Sequence, residues 1–107
     1  MPWISEGVKT GVNAAGTLLA DMGPAAGDGD YTPQFLFSAN FIGVFTVEKR
    51  NAANNATLQE WVFVVNGSTL PFHFANCPIP ILLNERIRVT LRVASIAGNA
   101  MQVSMCV

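Results

Sequence analysis

Arg86-Ile87-Arg88-Val89-Thr90-Leu91-Arg92-Val93 alternates polar and apolar residues without a slip. A β-strand turns successive side chains to opposite faces. Ile87, Val89, Leu91 and Val93 are therefore expected on one face, with Arg86, Arg88, Thr90 and Arg92 on the other. Wound as a helix, the same residues would scatter around the cylinder and leave no clean face to bury. The segment reads as a strand with one core face and one cationic face.

Turn residues bracket this strand. Asn84-Glu85 precedes it, and Ala97-Gly98-Asn99 follows as the turn of the last hairpin. Residues 100–107 alternate again and set Met101, Val103, Met105 and Val107 on the core face. Upstream, residues 81–83 are expected to pair briefly. Asn76-Cys77-Pro78-Ile79-Pro80 reads as an extended crossover, because two prolines forbid both a helix and central ladder pairing. Residues 69–74 form a strand broken by Pro71, and Asn66-Gly67 is the strongest short hairpin signal in the chain. Residues 57–65 set Trp61, Phe63 and Val65 opposite Leu58, Val62 and Val64, and the Asn/Ala cluster over 51–56 turns them back onto a partner strand over 41–50. Two more strands are expected, over 31–38 with Pro33 at an edge or bulge, and over Thr17-Leu18-Leu19-Ala20. Residues 21–30, dense in Gly, Pro, Ala and Asp, form a loop.

Seven or eight short strands, turn signals at about every 8 to 12 residues and no convincing helix predict an all-β fold, a single-domain β-sandwich or barrel. The proline-bearing connection before Ile81 favours a jelly-roll-like winding over a meander. The β-sandwich domain is assigned to residues 17–107, and residues 1–16 to an extended N-terminal arm. That arm carries Gly7, Gly11 and Gly16 and no sustained period. Trp3, Ile4, Val8 and Val12 are its candidate contacts with a partner surface, since a large apolar side chain gains about 2 kcal/mol on full burial.

The 107 residues suffice for one domain and are too few for two ordinary ones. Half are hydrophobic and only 12% are charged, against about 25% in an average globular chain. A chain so poor in charge is expected to hide surface against other protein, as an obligate oligomer or a component of a larger assembly. No apolar run approaches the roughly 18 residues of a membrane helix, so no membrane partner is expected. A net charge of −1 gives no global attraction to nucleic acid, and the arginine strand lacks interleaved aromatics, so nucleic acid is not an expected partner. The start Met1-Pro2-Trp3-Ile4-Ser5-Glu6 has neither a basic n-region nor a long apolar stretch, which predicts no secretory leader and folding in the host cytoplasm. Cys77 and Cys106 fit no CxxC or metal spacing and read as two small buried residues that stay reduced.

Residues that carry chemistry are sparse. His73 is the sole histidine, so a zinc site would want for nitrogen ligands, and a surface or interface position is expected. No base stands beside a serine or cysteine to activate it, so neither an enzyme nor a cofactor is expected. Asp28-Gly29-Asp30, with Asp21 upstream, lacks the later bidentate glutamate of a calcium loop and reads as a solvated turn. Asp28 and Asp30 are candidates for meeting a neighbouring subunit's arginines. Arg86, Arg88 and Arg92 are expected to pair across strands with Glu48 or Glu60, or to make inter-subunit polar contacts. Asn55-Ala56-Thr57 and Asn66-Gly67-Ser68 match the glycosylation sequon, but without a secretory signal they are read as turns. Trp61 and Phe63 have the chemistry to stack on sugars, yet their phase with Val65 assigns them to the core.

Over roughly residues 17–107 the features fall in a recognisable order. A short apolar strand is followed by the loop Gly23-Pro24-Ala25-Ala26-Gly27 and by paired strands across the Asn/Ala turn between Arg50 and Thr57. The strand Asn84-Glu85-Arg86-Ile87-Arg88-Val89-Thr90-Leu91-Arg92 and a terminal strand complete the series. This order resembles the head decoration, or cement, proteins of tailed bacteriophages built on jelly-roll-like sandwiches. Tumour-necrosis-factor-like trimers and other viral jelly rolls share it. The resemblance implies a virion structural protein on the capsid surface, a homotrimer at local threefold positions that staples the major capsid protein without chemistry. The alternative is a carbohydrate- or receptor-binding sandwich using Tyr31, Trp3 or Trp61, or a tail or neck component.

Overall fold

The structure, a computed structural model, describes residues 3–107. Ten strands follow one another: β1 (Lys9–Thr10), β2 (Leu18–Asp21), β3 (Gly29–Tyr31), β4 (Gln34–Ala39), β5 (Ile42–Arg50), β6 (Thr57–Asn66), β7 (Thr69–His73), β8 (Ile79–Ile81), β9 (Arg86–Leu91) and β10 (Ala100–Cys106). Among the described residues no helix is long and apolar enough to cross a membrane. The strands build two four-stranded sheets, β1-β10-β4-β7 (sheet one) and β2-β9-β5-β6 (sheet two), and a two-stranded clip of β3 and β8. All pairings are antiparallel.

With the clip set aside, every successive strand changes sheet except at the β5–β6 hairpin. The chain is thus two long ribbons, β1-β2 against β9-β10 and β4-β5 against β6-β7, each bent so that half lies in either sheet. Eight strands wound in this way have jelly-roll connectivity.

The alternation of the arginine strand holds as far as Leu91. Ile87, Val89 and Leu91 are buried, and Arg86 and Arg88 face outward. Val93 departs from expectation: the strand ends at Leu91 and Val93 is 54% exposed. After the Arg92 N–H donates to the Val44 carbonyl (2.8 Å), the chain turns towards the arm, where the Ser95 N–H donates to the Asn13 carbonyl and the Ser95 hydroxyl accepts the Asn13 N–H.

Asn66-Gly67 also departs from expectation. It does not close a hairpin but carries the β4–β7 ribbon around a corner into the other sheet. The Gly67 N–H donates to the Phe41 carbonyl and the Ala39 N–H to the Ser68 carbonyl, so the two corners lie side by side. The reason is continuity of the apolar face: Phe63 and Val65 before the corner, and Leu70 after it, all pack on one core. Thr32-Pro33 splits the strand expected over 31–38, and Ile79-Pro80-Ile81 joins the clip opposite Gly29-Asp30-Tyr31, on an edge where proline is tolerated.

Phe37 is the hub of the core, 5.6 Å from Phe35, 5.7 Å from Phe45 and 4.9 Å from Phe63. The aromatic contacts continue through Phe72 and Phe74 to Trp61, which packs edge-on against Phe74 at 5.3 Å. Trp61 and Phe63 are half-buried members of this core. Cys77 is exposed and Cys106 half-buried, contrary to the expectation that both lie buried.

The arm lies on its own sandwich. Ile4 and Met105 exchange two backbone bonds (2.7 and 2.8 Å), Glu6 N–H donates to Leu19, β1 pairs with the start of β10, and Gly11 N–H donates to Asn99. The backbone edge of β10 would otherwise be bare.

Candidate functional site

The two outer faces of the sandwich differ in chemistry. Sheet two carries the charge. Glu48 of β5 stands opposite Arg88 of β9 and Glu60 of β6. Its carboxylate accepts from the Thr57 hydroxyl (2.6 Å) and the Thr90 hydroxyl (2.8 Å), and lies 3.5 Å from Arg88 Nη2 and 3.6 Å from Arg50 Nη1. Burial pushes this carboxyl up, but the hydrogen bonds from Thr57 and Thr90 and the Arg88 charge outweigh it and hold Glu48 below the ordinary value. Arg92 Nη1 lies 3.4 Å from Glu60 and 3.3 Å from the Thr46 hydroxyl, so the glutamate opposite Glu48 has its own cationic partner. Arg86 reaches Asp21 of β2 at 3.1 Å.

The structure therefore gives all three arginines acidic partners within the chain, Arg88 on Glu48, Arg92 on Glu60 and Arg86 on Asp21. Asp28 and Asp30 are not brought to them. Asp28 accepts the Leu83 N–H (2.8 Å) and Asp30 sits exposed in the clip. Asp21, Arg50 and the three threonines are the participants that sequence reasoning missed. Thr46 and Thr90 carried a usable signal, since each holds an outward position two residues from Glu48 or Arg88. Among the described residues no group of three or more His, Cys, Asp or Glu side chains could hold a metal ion.

The outer face of sheet one is the opposite. Gln34, Leu36 and Ser38 of β4, Thr69, Pro71 and His73 of β7, and Gln102, Ser104 and Cys106 of β10 point outward, and none is charged. A depression of about 500 Å³ crosses this face at the His73 end. It is floored by Gln34 and Leu36, with Trp3 on the β10 side and Pro71 and His73 on the β7 side. A second, of about 350 Å³, lies at the other end between Val8, Ser38, Thr69 and Gln102. The arm thus supplies a wall to each.

Of the four arm candidates, Trp3 (52% exposed), Val8 (60%) and Val12 (78%) present apolar surface to solvent. Ile4 is half-buried against β10. Trp3 and Val8 join the uncharged face, whereas Val12 lies beyond β1 beside the Ser95 loop. Tyr31 packs on the core from β3 and lines neither depression. Comparison with protein-family models, with curated proteins and with solved structures gives no match.

Proposed function

We propose that this chain is a non-enzymatic virion structural protein, a capsid decoration protein that seats its uncharged sheet face on the major capsid protein. The observation that carries this reading is the segregation of charge. In a chain with so few charged residues, the arginine–glutamate network occupies one sheet, and the outward side chains of β4, β7 and β10 on the opposite face include none. Burying neutral polar and apolar groups against a partner avoids the several kcal/mol that desolvating an unpaired charge costs, and Trp3 and Val8 add on the order of 2 kcal/mol each when fully covered. The arm serves this by backbone pairing along β10, which fixes Trp3 and Val8 at the rims of the face.

The test is cosedimentation of the purified chain with phage heads assembled without it. Saturable binding at a fixed ratio to the shell subunit is expected, with loss of at least tenfold in affinity for a Trp3→Ala/Val8→Ser double variant. Absence of binding, or binding indifferent to both substitutions, overturns the reading. A second reading, a carbohydrate-binding module, is favoured by one observation: Trp3, Gln34 and His73 share a depression with an aromatic wall and neutral hydrogen-bonding groups. Saturable quenching of Trp fluorescence by neutral sugars, abolished in Trp3→Ala, would establish it in place of the first.

A further inference from the structure

The sandwich has four sheet edges, and a bare edge invites pairing with another chain unless something blocks it. Three are blocked. β1 is two residues long and includes Lys9. β2 is short, shifts register between Leu18 and Ala20, and has the Leu19 carbonyl occupied by the Glu6 N–H. β7 contains Pro71. β6 has none of these devices. It runs for ten residues, Thr57-Leu58-Gln59-Glu60-Trp61-Val62-Phe63-Val64-Val65-Asn66, without proline, glycine or lysine. Among the described residues its backbone pairs with β5 alone. Its outward side chains Val62 and Val64 are 47% and 56% exposed, beside the exposed Ile42 of β5. At the same edge the ring of Phe72 is exposed against Phe63.

We propose that β6 pairs antiparallel with β6 of a second copy of this chain, joining the two four-stranded sheets into one of eight strands about a twofold axis normal to the sheet. The occupant is a second copy because the strand is complementary to itself. Centred on Phe63, the pairing sets Val62 of one copy against Val64 of the other, and Glu60, the one charge on the strand, against Asn66. The two Glu60 carboxylates then lie about 20 Å apart, and each keeps its own Arg92. A ten-residue edge runs for about 34 Å, and pairing it with its copy covers the exposed Val62 and Val64 of both chains along with the backbone groups.

An axis normal to the sheet keeps equivalent faces on the same side. Both copies therefore turn their uncharged sheet-one faces in one direction, and the pair would meet any flat partner with two contacts instead of one. The twofold pair concerns a different surface from the proposed shell contact, so either can fail alone.

The test is the mass of the full chain by light scattering from 1 to 100 µM, with Val64→Lys, and with Leu83→Lys as a control at an exposed site in the β8–β9 connection, outside β6. The unmodified chain and Leu83→Lys are expected to be dimers. Val64→Lys is expected to be monomeric with unchanged circular dichroism, its dissociation constant raised about 100-fold, a factor of ten from each symmetry-related lysine. A monomer or a trimer for the unmodified chain overturns the proposal, as does a dimer that survives Val64→Lys. Should Val64→Lys fail to fold, amide exchange in β6 of the unmodified chain decides: protection that falls on dilution supports the pairing, and protection independent of concentration overturns it.

Discussion

Replacing Glu48 by alanine should destabilise this protein more than any other change on its outer surfaces. Glu48 is only 7% exposed although it sits on the solvent side of a sheet, because Arg50 and Arg88 lie beside it, each with an ion pair to it. Alanine removes an acceptor used by Thr90 at 2.8 Å, in a buried setting where a hydrogen bond to a charge is worth about 1.5–3 kcal/mol. The Thr57 bond at 2.6 Å is to an exposed residue and adds less, about 0.5–1 kcal/mol. The ion pairs at 3.5 and 3.6 Å are partly solvated and together add no more than about 1 kcal/mol. The expected loss is about 3 kcal/mol, which for a domain of this size lowers Tm by roughly 12 °C or more. Glu48→Gln keeps an acceptor for Thr90 and should lose about half as much. Urea unfolding followed by circular dichroism measures both. A loss below about 0.5 kcal/mol for Glu48→Ala, within the range of ordinary surface changes, would refute the view that this cluster ties β5, β6 and β9 together.

Because the folded state holds the Glu48 carboxyl below its ordinary value of about 4.5, the stability it contributes is present above that pH and is lost as pH falls through the lower folded value. A urea-midpoint series from pH 7 to 3 should show this decline, and Glu48→Gln should flatten it. Gly43→Ala should cost about 1–3 kcal/mol, because a Cβ there would stand 2.8 Å from the fully buried Phe45 ring and 3.1 Å from the Ala39 Cβ. A Tm within 2 °C of the unmodified chain would contradict that packing. Deleting residues 1–12 strips the backbone bonds of Ile4, Glu6, β1 and Gly11 from the sandwich. It should lower stability by about 2–6 kcal/mol, at roughly 0.5–1.5 kcal/mol for each of the four bonds of Ile4, Glu6 and Gly11. An unchanged urea midpoint would mean that the arm does not hold this position in solution.

Period-two alternation made the strands legible: β9 and β10 follow the expected faces from Arg86 to Leu91 and from Met101 to Met105. Their destination was less legible, because Asn66-Gly67 turns equally well within a sheet or between two. Only the opposite corner at Asn40-Phe41 decides which. The seat of the arm along β10 was not legible, because its partner edge lies some 90 residues later in the chain. Arg88 and Arg92 found the glutamates expected of them, since Glu48 and Glu60 face outward on adjoining strands. Arg86 found Asp21 instead, across a β2–β9 pairing that no local signal announces. The uncharged face of sheet one was invisible from composition alone, because low charge does not say on which side the few charges gather.

The most direct test of that face as the contact surface is hydroxyl-radical footprinting of the chain, free and bound to phage heads that lack it. Binding should protect Trp3, Leu36 and His73, while Leu82 and Leu83 stay reactive. Protection confined to the Leu82-Leu83 loop or to sheet two, with Trp3 and Leu36 as reactive as in the free chain, would contradict it.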